Sequence, residues 1–221
     1  MKLLVIILGI IVIVLLYILI KYYSNGYSKL ATITSLKSNN SVVSTNVQFS
    51  TRYALGIWIY VNSWDSTANK VIYDLPGKIK LYLDKTRPSL NAELEVQSGL
   101  PLTVSITDEF PLQKWVYVTV SVDNNFVDFY LEGKLVKSNK LPGIHSDGVE
   151  SKMYIGGNPA NLNDIVIARF NEWQNPLSQT EVFNEYMKGN GSSVFYKMLS
   201  SYGLNVSVLK DNVTTSSYRV F

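Results

Sequence analysis

The sequence predicts an all-β domain, a sandwich of two antiparallel sheets, preceded by one transmembrane α-helix. Three observations carry that expectation. Residues Leu3 to Ile20 are apolar without a single charge. From Gln48 onward, short segments alternate apolar and polar residues and are separated by Gly, Pro, Asn and Asp, the pattern of short strands joined by turns. The chain is 47% hydrophobic and has no cysteine, so its core must form without disulfides, and thiol catalysis and cysteine zinc sites are excluded.

The apolar run comes first. As a helix it measures roughly 27 Å, close to a bilayer's hydrocarbon core of about 30 Å. Lys2 and Lys21 bracket it, and Tyr17, Tyr22 and Tyr23 stand at one end, where amphipathic rings favour the membrane interface. A secretory signal would have a shorter apolar core, about 7–15 residues, and a small-residue cleavage site. Here the run ends Leu19-Ile20-Lys21-Tyr22-Tyr23, so residues 1–21 are expected to be an uncleaved anchor. Lys21, Lys29 and Lys37 outweigh Lys2 and weakly place the large domain in the cytoplasm. The missing cysteines point the same way, toward a reducing compartment. The sequons at Asn39, Asn190, Asn205 and Asn212 count little against this in a chain so rich in Asn, Ser and Thr. The net charge of +3 is spread along the chain, without the basic block that nucleic-acid binding needs.

Residues 22–47 are read as a stalk and first strand, 48–189 as the sandwich and 190–221 as a C-terminal extension. Within the sandwich, Leu55, Ile57, Ile59 and Val61 share one face. Ile79, Leu81 and Leu83 oppose Lys78, Lys80 and Asp84. Leu90, Ala92, Leu94 and Val96 oppose Asn91, Glu93 and Glu95, and Leu102, Val104 and Ile106 alternate with threonines and a serine. Val116, Val118, Val120 and Val122, then Val127, Phe129 and Leu131, read as a hairpin about Asn124-Asn125, since Asn tolerates positive φ. Asp164 to Phe170 is apolar on both faces, as a strand covered on both sides would be. One helix is expected over Gln179 to Lys188, with Ser178 as N-cap, Glu181 completing a capping box and Gly189 as the stop. Residues 194–199 read as a second short helix, and Leu204, Val206 and Val208 as a last strand. Asp211 to Phe221 gives no strong signal.

The order of these segments resembles a known family. Tyr53 to Val61, with Trp58 at its centre, is similar to the opening strand of the concanavalin A-like, or laminin-G-like, jelly roll. Trp115-Val116-Tyr117-Val118-Thr119-Val120, Phe129-Tyr130-Leu131-Glu132-Gly133-Lys134-Leu135-Val136, Met153-Tyr154-Ile155-Gly156-Gly157 and Asp164 to Phe170 followed by Leu177-Ser178-Gln179-Thr180-Glu181-Val182 resemble later strands and the closing helix. The resemblance covers Gln48 to Gly189 and implies a sandwich with neighbouring termini. It does not imply one function, since the fold hosts lectins, hydrolases, adhesion modules and structural proteins. The anchor joined to such a domain in a cysteine-free chain is similar in style to membrane proteins of large DNA viruses.

Candidate chemistry follows from the resemblance. Glycosidases of this fold class use paired carboxylates; the candidate is Glu93-Leu94-Glu95, where the third acid of the family's motif is missing and Val96 and Gln97 follow. Laminin-G-like modules often take Ca²⁺ on loop oxygens; the loops holding Asp123, Asn124 and Asn125, and Asn158, Asn161 and Asn163, are the places to look, and no ligand set emerges. Lectins stack a ring on a sugar. Trp58 with Tyr60 and Trp115 with Tyr117 read as packing, Trp173 lies near a loop, and Trp64, after Asn62-Ser63, is the ring expected to be exposed for a glycan. His145, the single histidine, reads as a loop residue. No catalytic residue, metal site or cofactor is assigned. The expected function is a non-enzymatic, membrane-anchored structural or interaction protein, with lipid and other structural proteins as partners. Its expected setting is a virion, as a minor capsid component linking membrane to shell. The alternative is a membrane-tethered lectin.

Overall fold

A computed structural model describes the backbone of residues 2–23, 26–37, 41–97, 100–143, 150–157, 163–191, 205–210 and 213–219, and side chains over 7–18 and from 26 to 191 within those ranges. The elements in order are α1 (Lys2–Tyr23), β1 (Tyr27–Ser35), β2 (Ser41–Ser44), β3 (Arg52–Val61), β4 (Lys70–Leu75), β5 (Ile79–Leu83), β6 (Leu90–Leu94), β7 (Leu102–Thr107), β8 (Trp115–Asp123), β9 (Phe126–Leu131), β10 (Lys134–Lys140), β11 (Lys152–Ile155), β12 (Ile165–Trp173), α2 (Gln179–Met187), β13 (Asn205–Lys210) and β14 (Val213–Arg219).

Twelve of the described strands form the sandwich. One sheet runs β1-β12-β3-β8-β9-β10 and the other β2-β11-β4-β5-β6-β7, every pair antiparallel. The alternation decides what faces inward. Leu55, Ile57, Ile59, Val116, Val118, Val120, Val127 and Phe129 of the first sheet meet Ile72, Leu81, Leu83, Leu90, Ala92 and Leu94 of the second in one continuous core, and Tyr73 stacks on Phe170 across the layers at 5.0 Å. The outer face of the first sheet is covered too. Trp58, Tyr117, Tyr130 and Ala168 pack under Val182 of α2, which is why Asp164 to Phe170 reads as apolar on both faces. Asn124 takes φ 57° in the β8–β9 turn, and the capping box of Ser178 and Glu181 opens α2.

Several expectations change. The stretch read as a stalk holds strand β1, an edge of the first sheet paired with β12 from Tyr27↔Trp173 to Ser35↔Val166; Leu30 and Ala31 pack on the core, and a half-exposed edge strand shows little periodicity. Lys78, grouped with the outward residues, is fully buried because it lies in the turn before β5, where its ammonium donates to the carbonyls of Gln48 and Ser50. β4, not singled out in the sequence, is a central strand. The polar tail contains β14, which pairs with β13. Residues 194–199, His145, Asn158 and Asn161 lie outside the described residues.

At the other end, α1 is a 22-residue backbone helix. Its described side chains cover only residues 7–18, and among the described residues no helix is long and apolar enough to cross a membrane.

Candidate functional site

Two hollows and one surface patch stand out. The first hollow is a cleft of about 340 Å³ between the outer face of β8–β9 and the start of α2. Alternation along β8 and β9 turns Ser121, Asp128 and Tyr130 outward, and the segment before α2 lies over them. Ser121 fastens that segment: its hydroxyl donates to the Leu177 carbonyl at 3.1 Å and accepts the Leu177 N–H at 2.9 Å. Glu181 contributes a carboxylate held below its ordinary range by hydrogen bonds from the Ser178 N–H and hydroxyl. Phe126, 51% exposed, forms the rim beside the β8–β9 turn. An aromatic ring among hydroxyls and carboxylates suits a polar ligand such as a sugar or a basic side chain.

The second hollow, about 170 Å³, lies on the outer face of the other sheet around Asp74, Lys80, Glu93 and Glu95. Register explains the grouping: Asp74 pairs with Lys80, and Lys80 with Glu93. Asp74 therefore supplies the third carboxylate that the Glu93-Leu94-Glu95 stretch lacks, from a strand whose sequence spacing gives no hint of it. Burial pushes its carboxyl upward, Glu93 and Glu95 add to the rise, and Lys80 opposes it. A carboxyl raised in this way beside two others is an acid–base arrangement in outline. Yet Asp74 and Glu93 stand two strands apart, roughly 10 Å, and Lys80 occupies the strand between them, 3.6 Å from Glu93. The Lys80 ammonium thus stands between the two carboxyl groups.

Trp64 is half-buried rather than free. It packs against the core, and the Lys70 ammonium lies 4.5 Å from its ring centroid, covering one face. Its loop is tied at both ends. Asn62 and Ser63 donate to the Asp164 carboxylate at 2.9 and 2.8 Å, and buried Lys70 donates to Asp65 and to the Ala68 carbonyl. Hydrogen bonds from Thr67, then Lys70, draw the Asp65 carboxyl down to about 2. Of the other aromatics, Trp58 sits 5.2 Å from Tyr117 and 5.6 Å from Tyr186, and Trp173 lies 5.7 Å from Tyr27, all as packing. Asp123, a candidate calcium ligand, is paired with Arg52 at 2.9 Å and accepts from Asn124. Asn163 is buried, its N–H donating to the Leu36 carbonyl. Among the described residues, no three acidic or histidine side chains converge to hold a metal ion.

The patch lies where edge strand β10 adjoins α2. Leu135, Val136, Phe183 and Met187 are exposed large apolar residues there, beside a hollow lined by Gly133, Lys134 and Phe183. Lys134, Lys137 and Lys140 punctuate the strand. Sequence reasoning missed this patch because it joins residues about fifty positions apart across a fold that alternation alone does not specify.

Comparisons with known proteins agree on the fold. The binding domain of botulinum neurotoxin serotype D superposes with a TM-score of 0.57 at 15% identity, over 74% of this chain and 46% of that one. The binding domain of botulinum neurotoxin DC superposes at 0.55 in two complexes. With rat synaptotagmin II the identity is 15%, over 73% of this chain and 42% of that one; with SialylT it is 13%, over 73% and 46%. The chain thus spans less than half the length of these structures, and at such identity the likeness is one of fold. A short stretch of 48 residues is 42% identical to the SH2 domain-containing protein A of Arabidopsis thaliana, covering 22% of this chain and 8% of that protein. Residues 36–183 match the model of the Concanavalin A-like lectin/glucanases superfamily, and with more than half its length so matched, on the two-sheet frame described above, the chain belongs to that superfamily.

Proposed function

We propose that the protein is a non-catalytic interaction module, tethered by α1 to a membrane, that offers its β10–α2 surface to a partner protein. The carrying observation is the patch of Leu135, Val136, Phe183 and Met187. Exposed large apolar side chains on neighbouring elements favour an interaction site. Structures of similar fold that are themselves binding domains support the reading. The tether is supported by α1: its 22 residues measure about 33 Å as a helix, and every described side chain from Ile7 to Ile18 is exposed. A helix apolar on all sides calls for an apolar surrounding. In its narrowest form the reading places the protein in a virion, tying an internal membrane to a capsid shell, and absence from purified particles would contradict that form. The patch is tested by replacing Phe183 and Met187 with serine in the full chain. We expect partner affinity to fall about tenfold or more, as for interface hot spots; unchanged affinity would reject the patch. Hydrolysis of a polysaccharide, lost in Glu93→Gln, would reject the non-catalytic reading.

Glycan binding is the second reading. The cleft over Ser121, Asp128 and Tyr130 favours it more than Trp64 does, since Lys70 covers that ring. A glycan array probed with the full chain, with and without Ca²⁺, separates the two sites. Binding lost in Asp128→Ala would assign the cleft, binding lost in Trp64→Ala would restore Trp64, and no binding would remove the reading.

A further inference from the structure

We infer that the end of the sandwich nearest α1 rests on the headgroup layer of the membrane, through Phe49 and Phe126. The inference depends on the tether proposed above and adds to it a specific orientation of the domain.

The argument begins with chain length. Tyr23 closes α1 and Tyr27 opens β1, and the four residue steps between them span about 14 Å at most. Whatever the path of the link, the end of the first sheet that holds Tyr27 must lie within that distance of the end of α1. The register then identifies what else occupies that end. Tyr27 pairs with Trp173, Trp173 with Ala54, Ala54 with Ser121 and Ser121 with Asp128. Two residues farther out on β3, β8 and β9 come Arg52, Asp123 and Phe126, with Lys140 of β10 opposite Phe126, again in register. The β8–β9 turn and the loop before β3 close this end together, since the Asn124 N–H donates to the Thr51 carbonyl at 2.8 Å.

Two of the exposed phenylalanines stand here. Phe49 is 71% exposed and Phe126 51% exposed, each an unusual side chain to leave in water. The loop that carries Phe49 is held from below by the buried Lys78 ammonium on the carbonyls of Gln48 and Ser50, so the ring is presented on a fixed support. Lys140 lies 5.9 Å from the Phe126 centroid, and Arg52 is close by in its pair with Asp123. Aromatic rings with neighbouring cations on long stems are the side chains that favour a bilayer's interfacial zone. The far end of the β9–β10 hairpin, at the Glu132-Gly133 turn, carries Lys134, which pairs with Leu131 five residues along β9 from Phe126, roughly 17 Å away. The domain is thereby oriented with the β8–β9 turn on lipid and the Glu132-Gly133 turn held away from it.

The absence of cysteine makes the test direct. Single Cys variants of the full chain, Ile11→Cys, Asn125→Cys and Lys134→Cys, are labelled with an environment-sensitive fluorophore and reconstituted into phosphatidylcholine vesicles that carry either a headgroup or an acyl-chain quencher. Acyl-chain quenching at position 11 reports the tether. Headgroup quenching and a blue shift at position 125, with neither at 134, are expected, together with loss of both signals at 125 when Phe49 and Phe126 are replaced by serine. A deep label at 11 with positions 125 and 134 equally unquenched would overturn the orientation and leave the tether standing. An unquenched label at 11 would overturn the tether and the orientation with it.

Discussion

Glu172 illustrates how single residues set the frame. It lies on β12 of the first sheet and is almost fully buried, yet its carboxylate accepts from the Thr45 hydroxyl at 2.6 Å and from the Asn46 backbone and side-chain amides at 3.1 and 3.2 Å. Those donors follow β2 of the second sheet, so one carboxylate joins the two layers. Glu172→Ala would strand the buried Thr45 hydroxyl and is expected to cost about 1–3 kcal/mol, read as a lower denaturant midpoint; no change would show that the clamp carries no stability. Tyr73 presents the opposite case. Its ring stacks in the core, but its buried hydroxyl has no hydrogen-bond partner among the described residues. Tyr73→Phe removes an unsatisfied group while keeping the ring, and stability should rise by about 1 kcal/mol. Asp74 supplies a pH test. Its carboxyl is raised by burial in the folded state, so the fold binds its proton more tightly than the unfolded chain does. Stability from this group is therefore greatest below the ordinary carboxylate range and falls as pH rises through the raised value. Asp74→Asn should melt above the wild type at pH 7 and level with it at pH 3, in thermal scans at the two pH values.

Among the elements, strands were legible where one face is buried and the other is not. The valines of β8 and the alternation of β5 and β6 could be read directly, because period-2 patterning is the imprint of a sheet with one buried face. β1 escaped because an edge strand packs only Leu30 and Ala31 on the core, and β4 because both its faces are largely covered, so its Lys-Val-Ile-Tyr-Asp-Leu run does not alternate. The helix α2 was readable from its cap chemistry, which is local. The surface beneath it was not, since Trp58, Tyr117 and Tyr130 come from three strands. Gly56 belongs to that surface. A Cβ there would collide with the Tyr117 hydroxyl and press on the Trp173 ring, and both residues are buried. Gly56→Ala is expected to cost about 1–3 kcal/mol by overpacking, visible as a lower melting temperature with unchanged strand content. A neutral outcome would mean that the rings have room to move.

On the scale of the whole molecule, family membership was legible because five short segments in fixed order report a topology, and topology is what the family conserves in space. The candidate surfaces were not legible. Trp64 reads as exposed from its polar neighbours, but Lys70, six positions on, folds back over its ring. Asp74 reaches Glu93 only through Lys80 of the strand between them. The β10–α2 patch exists only once α2 has been laid against the sheet. These are long-range consequences of packing, and alternation along one strand carries no information about which distant residue will arrive beside it. Register places Tyr27, at the start of β1, two residues from the row of Arg52, Asp123 and Phe126, while Leu135, Val136, Phe183 and Met187 are exposed on β10 and α2.

The central claim, that the β10–α2 surface binds a partner protein, is tested most directly by crosslinking mass spectrometry on the native protein. We expect Lys134 and Lys137, which flank the patch, to crosslink to one dominant protein at fixed positions, while Lys85, in the loop between β5 and β6, does not. Crosslinks scattered over many proteins, or concentrated at Lys85 and absent from β10, would contradict it.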